Sequence, residues 1–141
     1  MQMIMRLHRI SAAFYRWRLP IVGRLVEGII RVVFGAVIPG RAKISPTAFF
    51  EHSGVGVVLN ELSVIGDGCR IGVHVVLGGK APIKGAPHLE EGVIVHSGAK
   101  LIGPIRIGRD TVIAANAVVI DDLAPKVLAA GVPAVVKKSL P

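Results

Sequence analysis

Along most of this chain a branched aliphatic residue returns at every sixth position: Ile65, Ile71 and Leu77, then Val95, Leu101, Ile107, Ile113 and Val119. Four residues after most of them stands a small or modest side chain: Cys69, Val75, Ala99, Ile105, Thr111 and Ala117. The position directly after is often Gly or Ala, as at Gly66, Gly72, Gly108 and Ala114. A helix would scatter a period of six around its circumference, and a plain strand would return every second residue to one face. Short strands joined by tight corners send every sixth residue to one interior, so the pattern predicts a parallel β-helix built of hexapeptide rungs. Three rungs make one triangular coil, which rises by the ~4.8 Å spacing of neighbouring strands.

The rungs begin at Ile38 with Ala42, continue at Ile44 with Ala48 and at Phe50 with Gly54, and then lose phase. From Phe50 to the next member, Leu59 with Ser63, is nine positions, three more than a rung. The slip from Glu51 to Val58 holds Glu51 and His52, the one adjacent acid and imidazole in the chain. A slip in a regular solenoid bends the backbone and re-aims its side chains. A second interruption, Gly78 to Gly92, is rich in Gly, Pro and Lys and reads as an excursion loop. Ligands are commonly met on such loops. The last rungs run to Leu123, after which Pro125, Gly131 and Pro133 break the pattern and Lys137 and Lys138 close the chain.

Ahead of the rungs, Met3 to Arg18 carries Met3, Leu7, Ile10, Phe14 and Trp17 on one helical stripe, with Arg6, Arg9, Arg16 and Arg18 off it. Pro20 ends this amphipathic helix. A second helix over Ile21 to Phe34 has Val22, Leu25, Val26, Ile29, Ile30 and Val33 as its apolar face. The chain thus divides into N-terminal helices, 1–36, and a β-helix domain, 37–141. The helices have two compatible roles: a cap on the open end of the solenoid, or a basic, Trp-bearing face lying on the inner membrane surface.

At 52% hydrophobic residues and a mean hydropathy of +0.63, the composition raises the question of membrane insertion. The densest apolar run, Ile21 to Ile38, is interrupted by Arg24, Glu27 and Arg31. A basic residue at a bilayer centre costs roughly 2.5 to 3.5 kcal/mol, so no spanning helix is expected. The basic start, Met1 to Arg18, lacks the apolar core of a cleavable signal. The expected location is the cytoplasm, with peripheral contact on the inner membrane surface as the extension the helices allow.

Formal charge is +8 over 141 residues, yet aromatics make up only 4% and no basic stretch alternates with stacking residues. That combination does not fit a nucleic-acid binder; an anionic cofactor or an anionic membrane surface suits it better. The one cysteine, Cys69, falls on an inward position and reads as core. His74 at a corner and His96 beside inward Val95 read as surface residues, and no close His/Cys/Asp pair suggests a metal site.

With rungs, slip and loop in place, Ile38 to Lys137 resembles the serine-acetyltransferase-type hexapeptide acyltransferases. The resemblance is carried by Ala42-Lys43-Ile44, Glu51-His52-Ser53-Gly54, Val64-Ile65-Gly66-Asp67, Leu77-Gly78-Gly79, Gly98-Ala99-Lys100 and Ala130-Gly131-Val132-Pro133-Ala134. It implies a left-handed β-helix, homotrimeric, with acetyl-CoA as co-substrate and active sites in clefts between neighbouring prisms. The family's catalytic histidine falls on His52, with Glu51 where an Asp is usual, as orienter or acceptor contact. The resemblance places CoA along Gly79, Ser97, Gly98 and Ala115, with Lys80, Lys137 or Lys138 near its phosphates. Backbone amides near Gly78 and Gly79 would serve the thioester oxygen. A neutral imidazole can take the proton of an attacking hydroxyl and return it to the departing thiolate.

The sequence also departs from that family. The Asp that steadies the catalytic imidazole is replaced by Val37, and the Arg-His-Pro that grips the amino-acid substrate aligns with Gly85-Ala86-Pro87. Lys84 or His88 would have to replace the lost carboxylate partner. The expectation is therefore an acetyl-CoA-dependent O-acetyltransferase whose acceptor is a sugar or polysaccharide-precursor hydroxyl. The alternatives are a serine O-acetyltransferase of cysteine biosynthesis and, in a different class, a non-catalytic trimeric β-helix scaffold.

Overall fold

A computed structural model describes residues 1–141. Two helices lead, α1 (Met3–Arg16) and α2 (Pro20–Phe34). Strands then recur in threes. The first coil holds β1 (Lys43–Ile44), β2 (Phe49–Phe50) and β3 (Val58–Leu59), and the second β4 (Val64–Ile65), β5 (Arg70–Ile71) and β6 (Val76–Gly78). The third holds β7 (His88–Leu89), β8 (Ile94–Val95) and β9 (Lys100–Ile102), and the fourth β10 (Arg106–Ile107), β11 (Val112–Ile113) and β12 (Val118–Val119). A terminal pair, β13 (Val127–Gly131) and β14 (Ala134–Ser139), follows. Parallel pairing gathers these into three walls, β1-β4-β7-β10, then β2-β5-β8-β11-β13-β14, then β3-β6-β9-β12. The chain is the expected parallel β-helix.

The register explains the period of six. On the third wall Val119 lies over Leu101, Leu101 over Leu77 and Leu77 over Leu59. On the second wall Ile113, Val95, Ile71 and Phe50 form the same kind of column. All eight aliphatic residues of the repeat are at most 1% exposed. Each such side chain contributes roughly 1.5 to 3 kcal/mol on burial. A slip of one residue would turn a whole rung inside out, so the columns hold the register. The glycine that follows several of the aliphatic residues has a separate cause. A Cβ on Gly66 would stand 2.9 Å from the Leu89 carbonyl oxygen, and one on Gly72 2.6 Å from the Ser97 amide nitrogen. The next coil's backbone passes too close for a side chain.

Three expectations need correction. Leu89 is buried and in phase, six before Val95, so the excursion ends at Pro87 rather than Gly92. The polar corner Glu90-Glu91-Gly92 hid that rung from a hydropathy reading. Beyond Leu123 the chain does not simply trail off: β13 continues the second wall parallel to β11, and β14 folds back on it antiparallel.

The third correction concerns the helices, which turn other faces inward than their apolar stripes suggest. In α1 the buried residues are Ile4, Met5, His8 and Ser11, while Met3, Ile10 and Trp17 of the expected stripe are exposed. In α2 only Gly23 and Ile30 are buried, and Leu25, Ile29 and Val33 face out. Close approach at glycines selects this rotation. A Cβ on Gly23 would lie 2.9 Å from the Tyr15 ring, and a Cβ on Gly40 would run into Ser11. Ser11 Oγ donates to the Gly23 carbonyl at 3.1 Å and to Glu27 Oε1 at 3.3 Å. His8 Nε2 lies 3.2 Å from the Ala42 carbonyl, and burial holds its imidazole below the ordinary histidine value. Ile4, Met5 and Ile30 join the solenoid core, so the pair covers the first coil. Neither helix is long and apolar enough to cross a membrane.

Gly72→Ala should therefore cost about 1 to 3 kcal/mol, because Ser97 backbone and not a flexible side chain blocks the new methyl group. Gly28→Ala, at an exposed helical site with nothing within 4 Å, should leave stability unchanged or raise it by about 0.5 to 1 kcal/mol. Urea unfolding of the two variants beside the parent checks the contrast.

Candidate active site

The slip predicted between Glu51 and Val58 becomes a 3-10 turn over Glu51–Gly54, at the edge where the second wall gives way to the third. His52 (φ 48°, ψ 41°) and Ser53 (φ 59°, ψ 24°) both take left-handed backbone angles. Such conformations cost on the order of 1 to 3 kcal/mol each in a non-glycine residue, so the surrounding structure must hold them. It does so through the start of α1. Gln2 Nε2 donates to the Phe50 carbonyl at 2.7 Å, and the Phe50 amide donates to Gln2 Oε1 at 2.9 Å. Ile4 packs beneath Gly54, where a Cβ would stand 3.1 Å from its Cδ1. His52 is left exposed on top of the turn.

Glu51 does not orient His52. Its Oε1 accepts from Arg70 Nη2 at 3.3 Å, and the Arg70 guanidinium lies 5.2 Å from the centre of the Phe49 ring. Nor does position 37 supply an orienter, since Val37 only extends the third wall through a bridge to Val58. Down the same edge the corner Val73-His74 is followed by Ser97-Gly98 and Ala115-Asn116. Gly98 N donates to the Val73 carbonyl at 2.9 Å and Asn116 N to the Ser97 carbonyl at 3.1 Å. Lys100 Nζ ties two of these corners together, donating to the carbonyls of His74 at 3.0 Å and Gly98 at 2.6 Å. His74 and His96 are exposed here, as their corner positions suggested. Cys69 lies at another edge, its thiol pushed up by burial and donating to the Glu90 carbonyl at 3.0 Å.

The other candidate residues are on the opposite side of the third wall. β6 ends at Gly78, and the excursion Gly79 to Pro87 stands at the edge between the third and first walls, folded on itself by a bridge between Lys80 and Ile83. A Cβ on Gly79 would meet Asn60 Nδ2 at 3.2 Å. Lys80 borders a cleft of about 490 Å³ with Ile102, Ile120, Asp121 and Asp122. Lys84 is exposed on the loop, whereas His88 belongs to β7, paired between Val64 and Arg106. Lys137 sits in β14 opposite the bulge between Leu128 and Ala129.

One chain therefore brings Glu51, His52, Ser97, Gly98 and Ala115 to one edge, and Gly78, Gly79, Lys80 and Lys84 to another. His52 lines none of four clefts on the surface of the chain. The largest, about 1070 Å³, lies between α1 and β1. Two residues escaped the sequence reading. Arg70 could have been found by adding the three-residue insertion to an eighteen-residue coil, which puts it over Phe49 as observed. Gln2 had no signal, being 48 positions from its partner.

Hexapeptide coils, broken at one edge by the turn that carries His52 and at another by a glycine-rich excursion, place the chain in the hexapeptide-repeat class. The family model described as bacterial transferase hexapeptide (six repeats) matches residues 86–121. A serine acetyltransferase of Helicobacter pylori is 39% identical over 118 residues, 82% of this chain and 68% of the relative. One from Synechococcus elongatus is 36% identical over 128 residues, 89% of this chain and 52% of the relative. The crystal structure of the Brucella abortus serine acetyltransferase in complex with coenzyme A superposes with a TM-score of 0.93 at 27% identity, covering 97% of this chain and 55% of that one. The chain belongs to the serine acetyltransferase family of hexapeptide-repeat proteins, and it spans about half to two thirds of the length of these relatives. The relatives' names favour serine, the alternative acceptor, over the sugar hydroxyl expected from the altered grip.

Gln2→Ala removes both hydrogen bonds to Phe50. It should cost about 1 to 2 kcal/mol and raise hydrogen exchange at the Phe50 amide and through the following turn, leaving the β10 to β12 coil protected.

Proposed function

We propose that the protein is an acetyl-CoA-dependent O-acetyltransferase acting on serine, with His52 as general base. The observation that carries the reading is the placement of His52, an exposed imidazole on a turn that Gln2 braces where the coils lose register. The acceptor hydroxyl gives its proton to His52 as its oxygen attacks the thioester carbonyl carbon. The new O–C bond forms, the C–S bond breaks, and the imidazolium returns the proton to the CoA thiolate. No covalent intermediate on the protein is required. Glu51, held by Arg70, is assigned to the acceptor side of the site and not to orienting the imidazole. Orientation comes from the left-handed turn and its Gln2 brace.

CoA is assigned to the edge past Ser97, Gly98 and Ala115, with Lys137 and Lys138 for its phosphates. The amides at Gly78 and Gly79, with Lys80 and Lys84, lie a wall's width away, roughly 15 to 20 Å for six residues at ~3.3 Å each. A trimer that sets the loop of one prism against the His52 edge of the next completes the site. Lys84, exposed on the excursion loop, then supplies the cation for the serine carboxylate. A single lysine is a weaker grip than a bidentate arginine, so the serine KM should be high.

His52→Ala should lower kcat by about 10² to 10⁴ while coenzyme A binding, read by calorimetry, is retained. A variant with more than half the parent activity removes His52 from the mechanism.

Acetyl-CoA turnover should be faster with serine than with homoserine, nucleotide sugars or oligosaccharides, and Lys84→Ala should raise the serine KM roughly ten-fold with little change in kcat. Faster turnover of a sugar would transfer the acceptor site to a glycan. Sedimentation should show three 14.8-kDa chains. An active monomer would contradict the shared site.

A further inference from the structure

We propose that the outward face of α2, with the turn that precedes it, docks on an anionic lipid surface. Ile21, Leu25 and Val32 fall on one side of this helix, opposite buried Gly23 and Ile30, and are 74%, 65% and 86% exposed. Residues that the apolar pattern would send to a core are here turned to solvent, because the glycine side of the helix is the one that fits against α1. Trp17, 65% exposed, stands at the turn between the helices. An indole at the rim of an apolar strip is the arrangement that settles at a lipid headgroup boundary.

Charge selects the partner. Arg24 and Arg31 border the strip on α2, and Arg16 and Arg18 flank Trp17, all exposed. The one acid among residues 1–36, Glu27, is turned inward, where it accepts from the Gly40 amide at 2.7 Å and from Ser11 Oγ at 3.3 Å. The outer surface is therefore apolar and cationic with no carboxylate. A second copy applied face to face would bring arginine against arginine. An anionic lipid leaflet accepts both components at once. The helix lies in the surface plane and does not cross, since its 15 residues reach about 22 Å against ~30 Å of hydrocarbon.

The test uses the full chain with phosphatidylcholine vesicles, with and without about one quarter phosphatidylglycerol. Trp17 is the only tryptophan, so its emission reports on the patch itself. Co-sedimentation and a blue shift are expected with the anionic vesicles only, weakened at least ten-fold by ~0.5 M salt. Leu25→Glu with Val32→Glu should abolish binding, and Arg24→Gln with Arg31→Gln should weaken it about ten-fold. All four positions are exposed, and an unchanged thermal transition verifies that the solenoid is intact. The proposal is overturned if the parent stays in the supernatant with unshifted emission, or if the glutamate variant binds like the parent. It is overturned equally if those substitutions break an oligomer, which would assign the face to a second copy. Acetyl transfer to serine plays no part in this reading, and either can fail alone.

Discussion

The stacking of one coil squarely on the next is the constraint on which the rest of this molecule depends. Backbone amides of each rung donate to the rung beside it, as Val76 N does to the Ala99 carbonyl and Lys100 N to the Ala117 carbonyl. The aliphatic columns inside the prism keep those ladders in phase. Because the coils touch backbone to backbone at Gly72 and Gly108, the spacing has no slack. A rung can gain residues only by pushing them outward at an edge. Every departure from the hexad therefore appears on the surface with both of its ends fixed.

That rule places the chemistry. The three extra residues after Phe50 and the longer excursion after Gly78 are each anchored at both ends to paired strands, so the solenoid sets where the groups they carry stand. Strain of on the order of 1 to 3 kcal/mol at His52 and again at Ser53 is comparable with burying one or two aliphatic side chains. The core of 24 buried residues, Ile4 among them, offsets it together with the Gln2 hydrogen bonds to Phe50. The two interruptions lie on different edges of one prism. None of four clefts on the single chain joins the groups they carry.

The N-terminal helices serve the solenoid and the surroundings with different faces. Their glycine and serine faces meet each other and the first coil, where close approach matters more than apolar area. The hydrogen bonds of Glu27 with Gly40 and Ser11 tie α2 down and turn the only acid of residues 1–36 away from the apolar strip. Apolar residues that could have filled a core remain outside, and the arginines are left as the sole charge around them.

The sequence alone determined most of the rungs and their inward residues, the Leu89 rung and the closing β13 excepted, because in a hexapeptide coil the orientation of each side chain is set by its nearest neighbours along the chain. His52 was legible for the same reason: it sits where a local count fails. Contacts between distant segments had to be seen in three dimensions. Nothing at Gln2 announces Phe50, and nothing in the stripes of α1 and α2 announces that Gly23 and Gly40 would dictate which face turns inward. Likewise Glu51, next to His52 in sequence, is drawn to Arg70 one coil away, since neighbours on a strained turn point apart while residues in adjacent rungs lie side by side. The tertiary structure also decided that His52 and the Gly79 loop occupy separate edges, for the wall between them is a property of the closed prism and not of any six residues.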